Sequence, residues 1–89
     1  MKLSYAVQIW REGDDYVAHA LPLDLASSGS TPAKARRALG EAVTLFLDTA
    51  KQQGTLEQVL EETGYRRVAR GWSGPRWLKT ERASASLSV

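Results

Sequence analysis

Leu23-Asp24-Leu25-Ala26-Ser27-Ser28-Gly29-Ser30-Thr31 runs directly into Pro32 and an amphipathic stretch that reaches Lys51. The first part reads as a short extended run that ends in a turn at Gly29. Thr31 then offers its side-chain oxygen as a helix N-cap, and Pro32 fits the first helical position, where no backbone donor is needed and φ is already suitable. The chain changes direction here, from a strand-rich start to one long helix.

Upstream, Tyr5-Ala6-Val7-Gln8-Ile9-Trp10 sets Tyr5, Val7 and Ile9 on one face and Ala6, Gln8 and Trp10 on the other, the period-two pattern of a strand. Arg11 to Asp15 supply turn chemistry. Tyr16 to Leu21 is a second strand, and so short a connection makes an antiparallel hairpin that Pro22 ends. A third strand over Asp24 to Ser28 completes a meander. Downstream, Ala35, Ala38, Leu39, Ala42, Val43, Phe46, Leu47 and Ala50 recur at helical spacing and form the stripe that packs on the sheet, with Phe46 expected in the core. Gly40 interrupts this helix near its polar side without an evident reason. Gly54 is suited to end it in a left-handed conformation. Thr55-Leu56-Glu57-Gln58 then reads as a capping box, and Leu56, Val59 and Leu60 line a second, two-turn helix that Gly64 closes. Tyr65 to Val68 suggests a strand, Gly71 to Pro75 a loop, and Arg76 to Thr80 another strand. Ala83 to Val89 either frays or pairs with a neighbouring chain.

The expected class is therefore α+β: a three-stranded meander plus one or two C-terminal strands, packed on one long and one short helix. Residues 1–64 form the core, and residues 65–89 are a basic, strand-forming extension of the same domain or its oligomer interface. At 89 residues, 43% hydrophobic and 25% charged, the composition is that of one globular domain. A domain of this size buries only roughly 60 to 65% of its unfolded surface, which favours association. The absence of cysteine excludes disulfides and thiolate metal sites. No apolar run has the length of a membrane span or signal peptide, so a cytoplasmic, cofactor-free protein is expected.

Charge is unevenly placed. Residues 1–65 carry six bases and nine acids, a balance of −3, whereas residues 66–89 carry six bases and one acid, a balance of +5. Arg66, Arg67, Arg70, Arg76 and Lys79, interleaved with Trp72 and Trp77, have the makings of a phosphate-tracking, base-stacking segment. The first reading is structural, with Tyr65, Arg66, Arg67, Arg70, Trp72, Trp77 and Leu78 docking the tail on its own core or on a second copy, as a homodimer or higher oligomer. Catalysis has little to work with. His19 is the only histidine, with no nucleophile or orienting carboxylate placed beside it by sequence. Asp14 and Asp15 belong to a turn, Ser27 and Ser28 lack a strained elbow, and Asp24, Glu41 and Asp48 do not read as a converging metal set. No catalytic, cofactor or metal residue is assigned.

The order of elements resembles the HicB-like antitoxins of bacterial toxin–antitoxin pairs. Tyr5-Ala6-Val7 and Tyr16-Val17-Ala18 match the strands that open that family. Leu23 to Thr31 matches its Leu-Asp-aliphatic-Ala-polar-polar-Gly-x-Thr pattern, and Leu39-Gly40-Glu41-Ala42 and Phe46-Leu47-Asp48 match its helix. The resemblance covers about residues 4–50. It implies a degenerate, catalytically inactive ribonuclease H-like fold and a non-enzymatic domain that binds and neutralises a HicA-like, mRNA-cleaving toxin. A small RNA- or DNA-binding module using the tail is the alternative. The chain departs from the family in lacking Pro-Gly-Cys after the second strand and in starting its helix with Ala33-Lys34 in place of acids. The tail after Gly64 has no helix-turn-helix pattern, which counts against autorepression.

Overall fold

The computed structural model describes residues 1–88; Val89, the end of the weakly alternating Ser86-Leu87-Ser88-Val89 stretch, lies outside them. Alternation and turn chemistry act together at the start of the chain. β1 (Ala6–Glu12) and β2 (Asp15–Leu21) pair without a register break from Ala6↔Leu21 to Glu12↔Asp15. Gly13 takes φ +64° in the two-residue connection, a value that glycine adopts without strain. β3 (Leu25–Gly29) pairs antiparallel with β2, so the order is β1-β2-β3 with β2 central. This is the expected α+β meander, with each strand displaced by a residue or two from its expected limits.

α1 (Pro32–Gln52) begins as the sequence requires: Thr31 Oγ1 accepts from the Lys34 N–H at 3.1 Å, and Pro32 occupies the first position. The strand and the helix meet tightly. A Cβ built on Gly29 would lie 2.6 Å from the Ala35 nitrogen and 2.8 Å from the Lys34 carbonyl carbon, both backbone atoms. Only a residue without a side chain allows β3 to end there. Across the interface, Ala18 and Ala20 of β2 face Ala35, Leu39 and Val43 of α1, and Leu23, Leu60 and Tyr65 complete the buried cluster.

Three expectations are corrected. Phe46 is only partly buried at the margin of the core, and the largest fully buried side chains are Leu39 and Leu60. The Thr55 capping box does not form at α2 (Leu56–Thr63). Thr55 Oγ1 donates back to the Ala50 carbonyl at 3.3 Å, beside the Thr55 N–H at 2.9 Å, while Gln58 Nε2 donates to Glu62 Oε1 at 3.0 Å. The helices are so close in sequence that Thr55 satisfies an orphan carbonyl of α1 and is unavailable to the amides of α2. In the tail, β4 (Arg66–Val68) pairs with β5 (Gly71–Ser73) as a separate two-stranded sheet, so part of the expected loop is a strand. Arg76 to Thr80, expected as a strand, has no ladder partner and no regular structure.

Because α1 lies over β2 and β3, it gives β1 little cover. Ile9 points to the helix side of the sheet yet remains 42% exposed, and Trp10 on the opposite side is 43% exposed.

Two stability outcomes are expected in urea titrations. Leu39→Ala should cost about 2 to 5 kcal/mol, the range for a fully enclosed leucine, and Phe46→Ala should cost less than Leu39→Ala despite removing a larger group. Gly29→Ala and Gly40→Ala should move the midpoint in opposite directions. Gly29→Ala overpacks backbone at about 1 to 3 kcal/mol, whereas a Cβ on Gly40 meets only the Arg36 guanidinium at 3.7 Å and should stabilise the helix by about 0.5 to 1 kcal/mol.

Candidate functional site

Strand alternation leaves one face of the sheet away from α1. By register it carries Ala6, Gln8 and Trp10 from β1, Val17, His19 and Leu21 from β2, and Ala26 and Ser28 from β3. His19 lies between Gln8 and Ala26 in the central rung. The His19 ring stands edge-on to Trp10, with centroids 6.1 Å apart and planes at 67°, a favourable aromatic arrangement. Its Nε2 is 2.6 Å from Asp24 Oδ1. That contact corrects the sequence reading, in which no carboxylate stood beside His19.

The local backbone explains why. After Pro22 the chain turns tightly, and Asp24 adopts φ +59° while its N–H donates to the Ala20 carbonyl at 2.8 Å. Aspartate tolerates this left-handed region better than most residues. The signal in the sequence was an aspartate directly after a strand-ending Pro-Leu. The pair lacks a third member: Ser27 points to the helix side, Ser28 lies opposite Val17, and no hydroxyl is hydrogen-bonded to His19 among the described residues. Among the described residues, no group of three or more His, Cys, Asp or Glu side chains is gathered in a way that would hold a metal ion.

The tail residues separate into three environments. Tyr65 is buried in its own subunit, where its hydroxyl donates to the Ser4 carbonyl at 2.7 Å and its ring lies against Gly74. It presents no surface to a partner. Arg67 lies over the Trp72 ring at 4.8 Å and also pairs with Glu57, so cation and aromatic platform satisfy each other. Arg66, Arg70 and Arg76 are exposed, and Lys79 pairs with Glu81 at 3.1 Å. Trp77 is 53% exposed beside Ala6 and Leu21, in a groove that also receives Lys79, whereas Leu78 is 89% exposed. The structure thus brings Arg67 onto Trp72 and sets Trp72, Arg76 and Trp77 along one groove against Ala6 and Leu21, while Arg66, Arg70 and Leu78 line no part of it.

In comparisons with known proteins, no family model matches the chain, and neither a curated protein nor a solved structure matches it significantly. Among the described residues, no helix is long and apolar enough to cross a membrane.

Burial pushes the Tyr65 hydroxyl above its ordinary value near 10, and the adjacent Tyr5 adds to the rise. The folded state therefore favours the protonated phenol. Its contribution is present below about pH 10, the unfolded value, and is lost as pH rises through the higher folded value. An alkaline titration followed by tyrosinate absorbance should show one late-ionising tyrosine whose ionisation accompanies loss of stability. Tyr65→Phe should abolish that late phase and cost about 1 kcal/mol at neutral pH from the lost hydrogen bond.

Proposed function

We propose that this chain is a non-enzymatic interaction domain of HicB-like type, acting in the cytoplasm. Its partner is a small, basic, mRNA-cleaving protein of HicA-like type, which the complex holds inactive. The observation that carries this reading is the segment Leu23 to Thr31. It forms an edge strand, closes on α1 through Gly29, and hands over to the Thr31 cap in the order that the family pattern implies. The excess of acids in residues 1–65 supplies charge complementary to a basic partner. His19 is occupied by Trp10 and Asp24, which suits a structural role. The reading carries with it a relation to the ribonuclease H fold, in which one more strand usually follows the helix; here β4 and β5 form a sheet of their own.

A second reading, binding of single-stranded nucleic acid by the tail, draws on exposed Arg66 and Arg70 and on the groove that Arg76 lines with Trp72 and the half-exposed Trp77. Engagement of Arg67 and Trp72 with each other weakens it.

Co-expression with the product of an adjacent reading frame that encodes a short basic protein is the test. The two should purify as one complex in moderate salt, toxicity of the basic protein should be suppressed, and His19→Gln should leave both results unchanged. Retention on immobilised RNA that disappears on adding salt and with Arg66→Ala plus Arg67→Ala, without capture of the basic protein, would move the assignment to the second reading.

A further inference from the structure

β1 lies at an edge of the three-stranded sheet and has a ladder partner only in β2 among the described residues. Natural sheets blunt an exposed edge with a bulge, a proline, an inward charge or a very short strand. β1 has no bulge and no proline and runs seven residues in unbroken register; its one helix-side charge, Arg11, sits next to the turn and donates through Nε to the Gly13 carbonyl at 3.0 Å, while apolar side chains emerge on both faces beside it, Ile9 toward the helix side and Trp10 away from it. The opposite edge differs. β3 is five residues long and its end is sealed against α1 at Gly29.

We infer that β1 pairs antiparallel with β1 of a second copy about a two-fold axis at Trp10, which joins the two meanders into one six-stranded sheet. Centred there, Trp10 faces Trp10 of the copy, Ile9 faces Arg11, and Gln8 faces Glu12, in each case on one face of the sheet. The tryptophans form a cross-strand aromatic pair, and the Arg11 stem covers Ile9 while its guanidinium reaches water.

Charge selects a second copy as the occupant. Glu12, Asp14 and Asp15 cluster at the hairpin end of β1, whereas Arg76 lines a groove beside its other end with Ala6, next to Lys79 and its partner Glu81. Antiparallel pairing lays the acidic end of each strand toward Arg76 of the other, twice by symmetry; parallel pairing would set like beside like. A self-complementary patch of this kind generates a closed dimer. The pairing is independent of any toxin.

The chain has no cysteine, so single thiols report the axis directly. A residue facing its own copy across an antiparallel pair has a Cα separation of about 4.5 to 5.5 Å, within disulfide range. Sedimentation velocity on the full chain should give twice 9.8 kDa, and Trp10→Glu should give a single chain with unchanged circular dichroism. Trp10→Cys should cross-link on mild oxidation, under conditions in which Leu45→Cys, on the exposed side of α1, does not. A monomer at every concentration overturns the inference. So does a dimer that survives Trp10→Glu, or one that appears only when RNA or the basic partner protein is added.

Discussion

The contact between the end of β3 and the first turn of α1 governs the arrangement of everything else. Gly29 admits the Lys34–Ala35 backbone where any Cβ would collide, so the helix starts on the sheet and not at a distance from it. Ala18, Ala20 and Ala35 continue the close approach, because small buried side chains let the two layers come together. Leu39 and Val43 fill the space between the layers, and Leu23, Leu60 and Tyr65 close its margin. Started from that point, α1 lies mainly over β2 and β3 and gives β1 little cover.

The sequence was most legible where local chemistry and global position agreed. Thr31-Pro32 announced the helix, alternation announced the first two strands, and Gly54 and Gly64 marked helix ends with positive φ. It was least legible where one group had two uses. Thr55 has the signature of a cap, but the nearer and needier acceptor is the Ala50 carbonyl, a competition that spacing alone does not reveal. Phe46 sits on the apolar stripe, yet how deeply a stripe residue is buried depends on how far the opposing sheet extends. His19 and Asp24 are brought together by a left-handed turn, which composition does not announce.

The tail shows how a basic, tryptophan-rich segment can divide its roles. Arg67 and Trp72 are spent on each other and on Glu57, within the hairpin of β4 and β5. Trp77 turns to the start of β1 and the end of β2, where Ala6 and Leu21 offer an apolar floor. A count of charges along this stretch overstates the number of cations open to a polyanion.

The hydrogen bond from Tyr65 to Ser4 spans 61 positions of sequence, and it has a consequence for the order of events during synthesis. The first strand has its hairpin partner within a few residues, and Leu3 and Tyr5 pack on the core beside α1, but the Ser4 carbonyl gains its partner only when Tyr65 emerges. At translation rates of roughly 5 to 20 residues per second, the nascent meander waits several seconds with Ser4 unfastened and the sheet lacking its last core side chain. During that interval the chain on the ribosome exposes more of its apolar interior than the finished domain does, and it is then that a chaperone would find it.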